Sequence, residues 1–305
     1  MVGRQGGRSV RAARNEHTIA VSCHVSGKGY WTGKHVNVDI LPAAAGTGIQ
    51  LVRTDLPSHP SAPANVSHRT DAHLRTIIQS GDGRFEMIEH VMAALYALEI
   101  DNCIVQIDGK EFPGLDGSAK AYVGALSNCG LIIQAKARER VVVTQPIRIE
   151  AGSGWIEATP SVNGLSRFEY QLDFDSDTPI NSQTFSIELT PDRFRQEVAA
   201  ARTFVTLEQA QTLRAQGVAS HVTNQDLLVF GDDGPLDNEL RFQNECARHK
   251  VLDMVGDFAL AGVEIIGNIV SYRGGHNLNG RMTSKLHELL NEQKTNQVNS
   301  HRRAA

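Results

Sequence analysis

Two stretches of the sequence share one grammar. "EHVMAALYALEIDNCIVQIDG" starts at Glu89, and "RHKVLDMVGDFALAGVEIIGNIVSYRGG" starts at Arg248. Each places a histidine, His90 or His249, at the head of an apolar helical pattern that leads into a β-rich run. Repetition of this kind within one chain indicates internal duplication. It also narrows the folds available. Two similar halves related by pseudo-symmetry can bring their helix heads together, with Glu89 and His90 from one meeting His249 and Asp253 from the other. The 305 residues suffice for two domains of ordinary size.

Other segments fit this frame. "HVNVDILPA" (35–43) alternates at Val36, Val38 and Ile40, the pattern of a half-buried strand. "FEMIEHVMAALYAL" (85–98) has helical spacing at Met87, Val91, Ala94, Leu95 and Leu98. "NCIVQIDG" (102–109) reads as a strand. "SAKAYVGALSNCGL" (118–131) reads as a second helix capped by Ser118. The charged stretch at 134–154 opens new strands, which places a boundary near residue 136. The second half continues with strands in "SRFEYQLDF", "SQTFSIEL" and "DLLVF", a helix opened by Thr190-Pro191, and another over 206–215.

Composition excludes several classes. An apolar content of 41% with 21% charged residues suits a globular protein. The net charge of −4 gives no general affinity for nucleic acid. The four scattered cysteines (Cys23, Cys103, Cys129 and Cys246) form no C-x-x-C pair and read as reduced thiols. The arginine-bearing N-terminus lacks the apolar core of a secretory signal. No apolar run reaches the ~20 residues of a membrane span. The expected layout is a disordered basic tail over 1–16, domains over 17–136 and 137–290, and a polar disordered tail over 291–305.

The helix at 248–257 raises the functional question. His249, Asp253 and Asp257 recur every four residues and so project from one stripe. By itself this pattern also fits a solvated face. With His90 alongside, His249 and Asp253 supply two nitrogens and an oxygen, a suitable set for a catalytic Zn²⁺ that keeps a fourth position for water. Such an ion lowers the pKa of its water toward ~7. Glu89, next to a ligand, is placed to take the proton of an attacking water. Asp257 lies too far along the helix to join the same metal. It can instead hold and charge His276 of "YRGGHNLNG", where Gly274 and Gly275 permit close backbone approach. A cationic His276 can stabilise an oxyanion or protonate a leaving amine.

In this order and at these separations, "IEHVMAAL", "LDGSA", "ARTF", "RHKVLDMVGD" and "GGHNLN" closely resemble the UDP-3-O-acyl-N-acetylglucosamine deacetylases, the zinc amidohydrolases of the committed step of lipid A synthesis. The resemblance covers residues 17–290. It implies an α+β fold of two similar domains, each a layer of helices on a mostly antiparallel β-sheet, with the active site between them. It implies a metal held by His90, His249 and Asp253, with Glu89 as base and His276 as the cationic acid supported by Asp257. Thr203 would offer a hydroxyl to the oxyanion, Phe204 would contact the sugar, and Lys250 the diphosphate. The metal would be Zn²⁺, although a His₂Asp set suits Fe²⁺ as well. The implied substrate is a small molecule, an acylated UDP-amino sugar whose acyl chain needs an apolar passage, expected from the second domain. A cytoplasmic monomer without nucleic-acid partners is expected.

The chain departs from the family pattern at four places. "GKGYWTG" has Trp31 where a histidine is usual. Arg75 stands in a region usually small or apolar. "ASHVTNQDL" (219–227) replaces a Gly-Gly-Ser segment and brings in His221. Asn244 occupies a position usually acidic. These changes suit a relative with altered acyl length or substrate. The alternatives are therefore an enzyme deacetylating a different acylated nucleotide sugar, or a non-catalytic UDP-sugar binder. The presence of all six of Glu89, His90, His249, Asp253, Asp257 and His276 argues against the binder.

Overall fold

The computed structural model describes residues 13–174 and 178–304, with only the backbone of 297–304. It has six helices: α1 (Glu89–Ala97), α2 (Lys120–Ser127), α3 (Pro191–Glu197), α4 (Leu207–Ala215), α5 (Glu245–Ala259) and α6 (His276–Ala304).

The duplication is visible in the sheets. In the first half, Cys23–Lys28 and His35–Pro42 pair antiparallel, as do Ile49–Arg53 and Ser61–Pro63. Cys103–Ile107, which follows α1, inserts between the two hairpins, antiparallel to one and parallel to the other. The second half repeats this. The hairpins Ile147–Ala151/Gly154–Thr159 and Arg167–Leu172/Gln183–Glu188 flank Asn268–Tyr272, again antiparallel to one and parallel to the other. Both five-stranded sheets are mostly antiparallel, so the chain has the expected α+β class.

Each half also inserts a three-stranded sheet before its main helix. Arg69–Thr70, Ile77–Ser80 and Gly83–Glu86 precede α1. Phe204–Thr206, Leu228–Gly231 and Gly234–Pro235, with α4 among them, precede α5. The inserts turn out to wall the functional cavity.

The helices of the two halves face each other. α1 packs on α5, α2 on the first sheet, and α5 and α6 on the second. α1 buries eight of its nine residues and α5 thirteen of fifteen, so both are core helices with no solvated face. Gly256 sets their approach. A Cβ there would lie 2.0 Å from the backbone oxygen of Glu89. Gly256→Ala is therefore expected to force α1 and α5 apart and cost about 1–3 kcal/mol or more, read as a lowered denaturation midpoint. It should also weaken metal binding, because the candidate ligands come from both helices.

Several local expectations are corrected. Phe85 and Glu86 belong to a strand, and α1 starts only at Glu89. Ala119, not Ser118, holds the N-cap position of α2; the Ser118 hydroxyl donates to Asp116 (2.7 Å) and accepts from the Lys120 N–H (3.2 Å). Residues 1–12 of the expected basic tail lie outside the described residues, and Asn15–Glu16 open the strand Asn15–Ile19. The expected disordered tail after 290 is helical as far as Ala304. Met282, Leu286 and Leu290 recur every four residues and are buried, and Gln293 donates to the Val142 carbonyl (2.7 Å). Among the described residues no helix is long and apolar enough to cross a membrane.

Candidate metal and catalytic site

Two left-handed residues start the two helices that carry acid–base groups. Met87 (φ 59°) turns the chain out of Gly83–Glu86, so Glu89 and His90 fall in the first turn of α1. Arg273 (φ 50°) precedes Gly274, where a Cβ would sit 2.1 Å from the Ser271 hydroxyl. His276 is thereby the first residue of α6. Gly275 has open space around it, so the close approach belongs to Gly274 alone.

His90, His249 and Asp253 converge. Each is buried, and one potential ligand atom from each lies within 4.8 Å of the others. The rings of His90 and His249 meet edge to face, 5.2 Å between centroids. Their Nε2 atoms are 3.8 and 3.4 Å from the same Asp253 Oδ1. Ligands about 2.1 Å from a common tetrahedral ion are about 3.4 Å apart, so the set fits a metal with small adjustments. His249 Nδ1 lies 3.1 Å from the Ala201 carbonyl. That bond assigns the proton to Nδ1 and leaves the Nε2 lone pair for a metal.

Charge states agree with this use. Burial, then the neighbouring His249, pushes His90 down to about 3, and burial also lowers His249. Both imidazoles are thus neutral at pH 7. Burial opposes ionisation of Asp253, yet the charges of Lys250 and His276 hold its carboxyl well below the usual range. Neutral imidazoles with a carboxylate are the donor state a divalent cation needs.

A second constellation adjoins the first, with Asp257 at its hub. His276 Nδ1–H and Asn279 Nδ2–H both donate to Asp257 Oδ2 at 2.8 Å, and the Thr76 hydroxyl donates to Oδ1. The Thr76 backbone N–H donates to Glu89 Oε2 at 3.0 Å. Thr76 therefore ties the candidate base to the carboxylate behind the candidate acid. Burial, reinforced by Asp253 and Asp257, raises Glu89 to about 7 against the opposing charge of His276. Burial works against the charge of His276, but Asp257 outweighs it and raises the imidazole to about 9.

These groups open onto a cavity of about 470 Å³. Thr203 lines it, its N–H held by the Gly117 carbonyl of "LDGSA" at 2.7 Å. Phe204 stands edge-on to His249, 6.3 Å between centroids. The apolar wall includes Leu213, Val218 and Leu227 from the second half and Trp31, Leu74 and Met87 from the first. Both halves thus contribute, where the second alone was expected.

The family model described as "LpxC: UDP-3-O-acyl N-acetylglycosamine deacetylase" matches residues 16–288. The chain belongs to this family. A UDP-3-O-acyl-N-acetylglucosamine deacetylase of Geobacter sp. (strain M21) is 38% identical over 272 residues, covering 89% of this chain and 88% of the relative. The protein of the same name from Brucella ovis is 38% identical over 273 residues, covering 89% of this chain and 94% of its own.

Against the family pattern, the structure places Glu89, His90, Thr203, Phe204, His249, Lys250, Asp253 and His276 around the one cavity, with Asp257 behind His276. Lys250, expected only as a contact to the diphosphate, has a partner within the chain. Its Nζ is 2.9 Å from Asp253 Oδ2, so it also neutralises a candidate metal ligand. Asn244, the departure at the head of α5, makes no side-chain cap; it donates to the Thr184 carbonyl (3.1 Å) and accepts from Arg248 (2.7 Å). Sequence reasoning missed Thr76, Asn279 and the Ala201 carbonyl. Asn279 and Ala201 lie inside "GGHNLN" and "ARTF" without a role read for either, and Thr76 lies outside the quoted motifs.

Proposed function

We propose that this protein is a metal-dependent amidohydrolase that removes acetate from UDP-3-O-acyl-N-acetylglucosamine, the committed step of lipid A synthesis, and acts in the cytoplasm. The observation that carries this reading is the convergence of three neutral-or-anionic ligands, a raised carboxyl and a carboxylate-backed histidine on one cavity. The ligand set takes Zn²⁺, and Fe²⁺ also suits it. When bound, the ion supplies Lewis acidity for the water and for the amide carbonyl.

The chain's own groups do the rest. Glu89 accepts a proton from water as the oxygen attacks the acetamido carbon. The Thr203 hydroxyl donates to the developing oxyanion. His276, held through Nδ1 by Asp257, gives a proton to the departing nitrogen as the C–N bond breaks. The products are acetate and the free amine. Phe204 and Lys250 border the sugar and diphosphate side, and the apolar wall takes the 3-O-acyl chain. The large, fixed Trp31 in that wall favours, as a second reading, a different acyl chain on the same kind of nucleotide sugar.

The test is acetate release from UDP-3-O-acyl-N-acetylglucosamine by the metal-loaded protein. Dialysis against a chelator should abolish it and Zn²⁺ should restore it, with about one metal per chain. His249→Ala should fail to retain that metal. A fully metallated protein that releases no acetate from any acyl variant of the substrate sinks the proposal.

A further inference from the structure

Trp31 has a tethered backbone and a stacked indole. Its backbone N–H donates to Glu111 Oε1 at 2.7 Å, and the N–H and hydroxyl of Thr32 donate to Oε2 at 2.8 and 2.7 Å. Glu111 itself is buried. The Arg75 guanidinium stacks on the indole, 4.0 Å from its centroid, and is held there by Glu86 at 3.1 Å. The second half clamps the same turn. His221 Nε2–H donates to the Gly29 carbonyl at 2.8 Å, and the Tyr30 hydroxyl donates to the Asp226 carbonyl at 2.5 Å. Three of the four departures from the family pattern, Trp31, Arg75 and residues 219–227, therefore meet in one structure.

The surroundings say what this structure does. Besides Trp31, the cavity lining includes the aliphatic residues Leu74, Met87, Leu213, Val218 and Leu227. Leucine and methionine side chains adapt to a guest by changing rotamer. A tethered indole under a stacked guanidinium does not. A rigid wall in an apolar cavity rejects excess methylenes by overlap, and one methylene in such a pocket changes kcat/KM by about 10- to 200-fold.

We propose that Trp31, stacked under Arg75 and carried on a turn that residues 219–227 clamp through Gly29 and Tyr30, is a specificity-determining residue that limits the length of the substrate's 3-O-acyl chain. This rests on the deacetylase reading above. The wall sets a maximum chain length, and Arg75 and His221 keep it from yielding.

The experiment measures kcat/KM for acetate release over UDP-3-O-acyl-N-acetylglucosamines that differ only in acyl length, with metallated wild type, Trp31→Ala, Trp31→Phe and Arg75→Met. Wild type should show a sharp cutoff at its longest accepted chain. Trp31→Ala should move the long-to-short ratio of kcat/KM toward longer chains, by about 10-fold or more for the first chain beyond the cutoff. Trp31→Phe, which keeps an aromatic side chain in the turn, should move it less. Arg75→Met should blunt the cutoff with Trp31 still present. Identical chain-length profiles in wild type and a folded, active Trp31 variant overturn the inference and leave the deacetylase reading intact. A metallated wild type that hydrolyses none of the series overturns both.

Discussion

Glu89→Gln is expected to keep the fold and the metal and to lose turnover by about 10²–10⁴-fold, the scale of a positioned general base. Glutamine fills the same space and can still accept the Thr76 N–H that holds Glu89 Oε2. It cannot take a proton from water. The local energetics single out this carboxyl. Burial, with Asp253 and Asp257 close by, raises it to about 7, near the pH at which it would work and where a base is most effective. A carboxylate there for structural reasons alone has no such requirement, and its amide would be tolerated. The measurements are kcat, metal content and the unfolding midpoint of the same preparation. A metallated, folded Glu89→Gln protein with nearly wild-type kcat removes Glu89 from the mechanism.

How much of this was legible follows from which forces act locally. α1 and α5 showed in the sequence because their apolar periodicity is a property of one segment. The start of α3 showed for the same reason, Thr190 accepting the Arg193 N–H. The helix at 206–215 also showed, but not the capping box of Thr206 and Gln209 that opens it. The stripe His249–Asp253–Asp257 needed only helix geometry. What stayed hidden was supplied from elsewhere in the chain. Met87 carries no turn signal, yet it is left-handed and cuts the expected helix short. Nothing in the sequence gives Gly256 a role, and that role appears only when Glu89 is seen against it. The sequence marks Lys250 only as a diphosphate contact, and its bond to Asp253 depends on how deeply α5 is buried. Thr76 had no signal at all, because both of its partners, Glu89 and Asp257, lie on other elements. The polar composition after residue 290 read as disorder, although a stripe every four residues was already there at Met282, Leu286 and Leu290.

Asp257→Asn is expected to move the alkaline limb of the pH–rate profile to lower pH with metal content unchanged. The wild-type profile should be a bell. On the acid side the rate falls as Glu89, raised to about 7, becomes protonated and stops acting as a base. On the alkaline side it falls as His276, raised to about 9, loses the proton it must deliver. A divalent cation at the adjacent site disfavours positive charge and favours carboxylate, so the loaded protein has both limbs below those values. The mutational shift keeps its sign. Burial alone would pull His276 below the ordinary imidazole range, and the charge and hydrogen bond of Asp257 are the largest effects that reverse it. Asparagine preserves the shape but removes that charge, so His276 titrates lower and the limb retreats. Asp257 also raises Glu89 through space, so the acid limb should move down too, by less, since burial is its main cause. Two limbs moving the same way by unequal amounts is a pattern that simple destabilisation does not produce. Asp257 bonds no metal ligand among its contacts with Thr76, His276 and Asn279, so the metal should stay. An alkaline limb that holds its position in a folded, metallated Asp257→Asn protein would mean that His276 is not the group titrating there, and Asp257 would then serve only to join α5 to Thr76 and α6.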